Sequence, residues 1–113
     1  MVKSSTFKIY MAGDYGDAVR ALRKVCGERG DCYSVTPCDF VFSGGLEAGV
    51  CVTRINYARF PEDESELVER VRATARFLAG EMFQRSYSIE GPRVTEYMTI
   101  EGPWTQEGRG SEG

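Results

Sequence analysis

Apolar positions along the chain follow two rhythms. Phe7, Ile9 and Met11 alternate with Lys8 and Tyr10, which predicts a strand over 6–12 with one apolar face. After Gly13 the spacing lengthens. Ala18, Val19, Leu22, Val25 and Cys26 fall on one side of a helical projection and Arg20, Arg23 and Lys24 on the other. Asp14 or Asp17 is placed to cap this amphipathic helix, and Gly27 or Gly30 to end it. Two short β-prone runs follow at 32–37 and 39–43, then a glycine-rich turn, then GVCVTRINY at 49–57. In that last strand Cys51, Thr53, Ile55 and Tyr57 share one face and Val50, Val52, Arg54 and Asn56 the other, so neither face is plainly wet. Pro61 stops it. From Glu64 or Ser65 to about Arg85 the period is helical again, with Leu67, Val71, Leu78 and Met82 in one stripe and Val68, Ala75 and Phe83 beside it. SYSIEGPRVTEYMTI reads as a last strand or hairpin interrupted at Gly91 and Pro92.

The predicted order is β-α-β-β-β-α-β: an α+β domain, an antiparallel sheet with two helices packed on one face. Residues 1–100 are expected to form this single domain. Residues 101–113, rich in Gly, Glu and Ser, are expected to be a flexible tail unless Trp104 anchors them. With helices on one face, large apolar groups remain on the other, which predicts a homo-oligomer.

Composition narrows the classes. A chain of 113 residues suits one core, and 42% hydrophobic against 27% charged residues is the balance of an ordinary soluble domain. A net charge of −3 argues against coating a DNA or RNA polymer. No apolar run is long enough to span a bilayer and the start lacks a signal-peptide apolar region, so the expected location is the cytoplasm, with no membrane partner. Cys26, Cys32, Cys38 and Cys51 contain no CxxC pair, and the chain has no histidine, so no metal site and no cofactor are expected and the thiols are read as buried and free. Lack of histidine also removes the commonest general base and lowers the odds of an enzyme. The acidic run Glu62, Asp63, Glu64, Glu66 and Glu69 is read as a solvated helix start that suits the helix dipole.

Candidate chemistry gathers around arginine, of which there are eleven against three lysines. Arginine suits the grip of a planar anion, although GC-rich coding produces the same bias. In RINYARFP, Arg54 and Arg59 flank Asn56, whose amide matches an adenine edge, while Tyr57 or Phe60 offers a stacking surface. The plainer alternative puts Tyr57 and Phe60 in the core and Asn56 in a turn. A second group, Phe83, Tyr87, Arg93 and Thr95, runs from the end of the long helix into the Gly-Pro turn; there Arg93 and Thr95 would hold a phosphate and Phe83 or Tyr87 a base, unless Phe83 is simply core. The AGD loop at 12–14 lacks a phosphate-cradle motif, and Asp14 would repel an anion.

The runs FKIYMAGD, GG-x-E-x-GV at 44–50 and INY-x-RFP at 55–61, followed by a long helix and SYSIEGPRVTEYM, resemble the first Thoeris anti-defence family of phage proteins over about 6–99. The resemblance implies a non-enzymatic sponge that captures glycocyclic ADP-ribose made by Thoeris TIR-domain proteins in the infected bacterium. It also implies assembly as a homodimer or hexamer, the hexamer taking up cyclic di- or trinucleotides at separate sites. On this reading Arg54, Asn56, Arg59, Phe83, Tyr87, Arg93 and Thr95 line the ligand pocket and no residue is catalytic. Two competitors remain: an enzyme that degrades a cyclic nucleotide with acids such as Asp14 or Glu47, and a plain interaction domain.

Overall fold

The computed structural model describes residues 6–55 and 63–100. In chain order the elements are β1 (Thr6–Ala12), α1 (Tyr15–Arg29), β2 (Ser34–Phe42), β3 (Gly45–Ile55), α2 (Glu64–Glu81), β4 (Ser86–Glu90) and β5 (Thr95–Thr99). The strands form one antiparallel sheet in the order β2-β3-β1-β4-β5. The expected class, an antiparallel sheet with two helices on one face, is the one present. The strand pattern differs in two places: the two short runs before the glycines fuse into β2, and the last element is a complete hairpin of β4 and β5. Pro37 does not break β2 because β2 is an edge strand, where a missing N–H costs little.

Alternation sets which face is covered. Phe7, Ile9 and Met11 of β1, Val50 and Val52 of β3, and Tyr87 and Ile89 of β4 are all buried, and they meet Ala18, Ala21 and Leu22 of α1 and Leu67, Val71, Ala75 and Leu78 of α2 in one core. Both helices begin on aspartate caps: the Asp14 carboxylate accepts from the Asp17 N–H at 3.0 Å and Asp63 accepts from the Ser65 N–H at 3.2 Å. Helix α1 closes on Gly30 in the left-handed region, whose N–H donates to the Cys26 carbonyl at 2.9 Å. Helix α2 stops at Glu81 rather than near Arg85, because Phe83 takes φ 55° and turns the chain into β4. No described helix is long and apolar enough to cross a membrane. All four cysteines are free, and none is fully buried: Cys32 is exposed and the others are half-buried.

Candidate functional site

The five described candidates do not converge. Arg54 lies on the helix-covered face of β3 and is 7% exposed. Its Nε donates to Asp31 Oδ1 at 3.0 Å, its Nη2 lies 2.9 Å from the same oxygen, and its Nη1 donates to the Ile55 carbonyl at 2.6 Å. The guanidinium also sits 5.9 Å from the Tyr33 ring centre, and the Tyr33 hydroxyl donates to Thr74 Oγ1 at 3.0 Å. Arg54 thus joins β3 to the segment after α1 from within the molecule. Tyr87 is buried in the core at 4% exposure, where burial pushes its hydroxyl pKa up. Phe83 is 76% exposed just past the end of α2, outside the core stripe, at the left-handed turn that leads into β4. Thr95 opens β5, exposed, opposite Glu90. Asn56 and Arg59, with Tyr57 and Phe60, lie outside the described residues, as does the tail at 101–113.

Arg93 is the candidate that stands at a cleft. Between the first turns of α2 and the β4–β5 turn lies a cavity of about 390 Å³. Its apolar lining comes from Phe7, Val68, Ile89, Pro92 and Val94, and its polar groups from Glu64, Ser65, Arg72, Arg93 and Glu96. The charges come in pairs. Arg93 Nη2 donates to Glu64 Oε1 at 3.2 Å, both side chains reaching solvent. Arg72 Nε donates to Glu96 Oε1 at 3.0 Å, its Nη2 bonds the other oxygen of Glu96, and its Nη1 bonds Glu69. This fork-on-carboxylate pairing lowers the Glu96 carboxyl below its usual range and raises Arg72 further above its own, so both stay charged.

Local sequence explains the shape. Gly91 lets the β4–β5 turn close tightly on β1: its N–H donates to the Val94 carbonyl at 2.9 Å, and a Cβ built there would come within 2.9 Å of the Phe7 ring. Pro92 follows and restricts the turn. Glu64 and Arg72 occupy positions where an amphipathic reading sees only a helix start and a charged flank. Their role depends on Arg93 and Glu96, 29 and 24 residues away, and helical spacing holds no signal for that pairing. The one legible cue is the Gly-Pro-Arg turn itself.

A different depression lies on the sheet face opposite the helices, about 290 Å³, lined by Tyr10, Phe40, Glu47, Gln84, Ser86, Ser88 and Tyr97 among others. Of the acids considered for catalysis, Glu47 faces this depression, whereas Asp14 is engaged as the α1 cap.

No protein-family model and no curated protein matches the chain. Solved structures do. A phage SAM lyase in the apo state superposes with a TM-score of 0.73 over 88% of this chain and 91% of that chain, at 17% identity. A phage SAM lyase in complex with S-methyl-5′-thioadenosine gives a TM-score of 0.70 over 86% and 90%, also at 17% identity. These matches run against the reading as a non-enzymatic Thoeris sponge for cyclic ADP-ribose, because the two proteins that share the fold are phage SAM lyases, which are enzymes. The degrading-enzyme alternative fits them better, and both matched proteins are phage proteins. Lack of histidine counts only against reactions that need an imidazole as base or as partner of a nucleophile. At this identity the likeness establishes the fold, and the chain shares that fold with phage SAM lyase along nearly the whole of both proteins.

Proposed function

We propose that this chain cleaves S-adenosylmethionine (SAM) without water, releasing S-methyl-5′-thioadenosine, in the cleft between α2 and the β4–β5 turn. The observation that carries the reading is the near-complete overlap with a SAM lyase fold. The cleft supplies matching chemistry. SAM has a flat adenine and three charges: a carboxylate, an ammonium and a sulfonium. Phe7, Val68, Ile89 and Val94 offer an apolar slot for the base. Arg93 and Glu64, already paired across the mouth, would exchange each other for the substrate's carboxylate and ammonium. Glu96, kept ionised by Arg72, gives the sulfonium a negative neighbour.

The reaction asks little of acid–base groups. The substrate's carboxylate oxygen bonds to its own γ-carbon, closing a five-membered lactone, while the bond from that carbon to sulfur breaks and its electron pair stays on sulfur. Charge balances with no proton gained or lost: the leaving thioether is neutral and the nucleophile already ionised. The protein's part is to hold the chain of SAM folded, with carboxylate and γ-carbon in contact, an orientation effect that in model reactions reaches about 7–11 kcal/mol. A histidine-free chain can do this.

Incubating the purified protein with SAM in H₂¹⁸O and analysing products by mass spectrometry tests the reading. The thioadenosine should accumulate, with no ¹⁸O in the lactone at early times. Intact SAM after prolonged incubation would rule the activity out. Acting on SAM fits the cytoplasm of an infected bacterium. Self-association is also part of this proposal, located at the β2–β3 hairpin end, where Val41, Phe42 and Leu46 are 76%, 56% and 61% exposed; sedimentation of the parent and of Leu46→Lys would test it.

A further inference from the structure

Two of the chain's thiols meet at the end of α1. Gly30 leaves the helix in the left-handed region, with φ 69° and ψ 29°, and its N–H closes on the Cys26 carbonyl at 2.9 Å. Such a cap folds the departing chain back over the last turn of the helix, and Cys26 is the residue it folds over. Two side chains then pin the returning segment. Asp31, its side chain 1% exposed, is held by Arg54, and the Tyr33 hydroxyl donates to Thr74 Oγ1 at 3.0 Å. Cys32 between them is exposed, whereas Cys26 is half-buried. The fold-back is close: the Tyr33 N–H donates to the Cys26 sulfur, and its nitrogen is bonded directly to the Cys32 carbonyl carbon. The two α-carbons are thereby held near the span of about 4.4–6.8 Å that a disulfide requires.

The other two thiols lack this geometry. In the register of β2 and β3, Cys38 faces Gly49 and Cys51 faces Thr36, so they are diagonal rather than opposite, about 7–8 Å apart across the two strands. We propose that Cys26 and Cys32 are a peroxide-responsive pair that closes to a disulfide within one chain and clamps the turn carrying Asp31 onto the end of α1. Exposure makes Cys32 the first to react. Its sulfur attacks one oxygen of hydrogen peroxide; the O–O bond breaks, and the second oxygen keeps that electron pair and leaves as water with the thiol proton. The Cys26 sulfur then displaces hydroxide from the sulfenic acid on Cys32, giving the S–S bond and, with the Cys26 proton, a second water. Burial pushes the Cys26 thiol up, against the pull of the Tyr33 N–H, so the closing step should quicken as pH rises. The pair lies apart from the cleft and stands whether or not the chain cleaves SAM.

Treating the native protein with hydrogen peroxide, alkylating the remaining thiols and mapping tryptic peptides reads the pair directly. Trypsin cuts after Arg29, so closure should join peptide 25–29 to peptide 30–54 with loss of two hydrogens, and fragmentation should place the link on Cys32. Cys38 and Cys51 should remain alkylated. The oxidised protein should melt about 5 °C or more above the reduced one, the effect of closing a short loop in the unfolded chain, and dithiothreitol should reverse both changes. Cys32→Ser, at an exposed position, should remove the link and the shift together, whereas Cys38→Ser should keep them. A link to Cys38 or Cys51, a link between two copies, Cys26 still alkylated after excess peroxide, or equal melting temperatures would each overturn the proposal.

Discussion

Arg54 and Arg93 carry the same guanidinium, and each meets a carboxylate, yet the two pairs do opposite things. Arg54 and Asp31 are sealed, with side chains 8% and 1% exposed, and Arg70 adds a second cation 3.7 Å from the same oxygen. The other Asp31 oxygen is buried and has no hydrogen-bond partner among the described residues. Arg93 and Glu64 are 61% and 30% exposed at the mouth of a cleft, where an ion pair is worth little by itself and either member can change partner. Burial turns one arginine into a strut, and exposure leaves the other available for binding.

Removing a strut tests this contrast most severely. Asp31→Ala leaves Arg54 buried without its carboxylate, and breaking such a pair costs about 3–5 kcal/mol, enough to lower the melting temperature of a chain this size by more than about 10 °C. A melting temperature within a few degrees of the parent would show that the pair is solvated after all. Arg93→Ala should do the reverse. Its denaturant midpoint should barely move, while kcat/KM for SAM falls by about ten- to a hundredfold, the effect of one charge-assisted hydrogen bond to substrate. Unfolding, or unchanged kinetics, would erase the distinction between the two arginines.

Smaller changes sharpen the picture of the cleft. Gly91→Ala presses a methyl group toward the Phe7 ring, which is 3% exposed and lines the cavity. A loss of about 1–2 kcal/mol on urea unfolding is expected from such overpacking, together with a raised KM. Glu96→Gln probes the fixed side of the cleft. The Glu96 carboxyl is held below its ordinary range in the folded state, so its contribution is present above that range and is lost as pH falls through the folded value. The variant should be about 1 kcal/mol less stable than the parent at neutral pH, and the gap should close in acid. A gap that persists at low pH would assign the effect to packing. The smallest effect belongs to Phe83, exposed and at φ 55°, where Phe83→Gly should raise stability by about 0.5 kcal/mol because glycine adopts that backbone without strain.

The same contrast explains what was legible in the sequence. Alternation in Phe7, Ile9 and Met11 and the helical stripe of Leu67, Val71 and Leu78 report burial directly, so layers and sheet class could be read from the chain, whereas Asp63, read as part of a solvated acidic run, caps α2. Two features resisted. Residues 32–37 and 39–43 read as two runs rather than the one strand β2, because being on an edge, where Pro37 is tolerated, is a property of the sheet rather than of the strand. Arg54 looked like a binding residue because its partner Asp31 lies 23 positions away, in a segment with no periodic signal of its own. Arg93 was singled out, but without Glu64, Arg72 and Glu96, which only the packing of α2 against the β4–β5 hairpin brings to it. Short-range pattern sees faces, whereas ion pairing across the fold decides which polar residues on a face are available to a ligand.

One measurement tests the central claim most directly: a crystal structure of the protein grown with S-methyl-5′-thioadenosine. The account predicts the adenine between Val68, Val94 and the Phe7 ring, with the thioether sulfur toward Glu96 and the Arg93–Glu64 pair. Thioadenosine seated elsewhere, or an empty cleft at saturating ligand with its rim pairs unchanged, would contradict it.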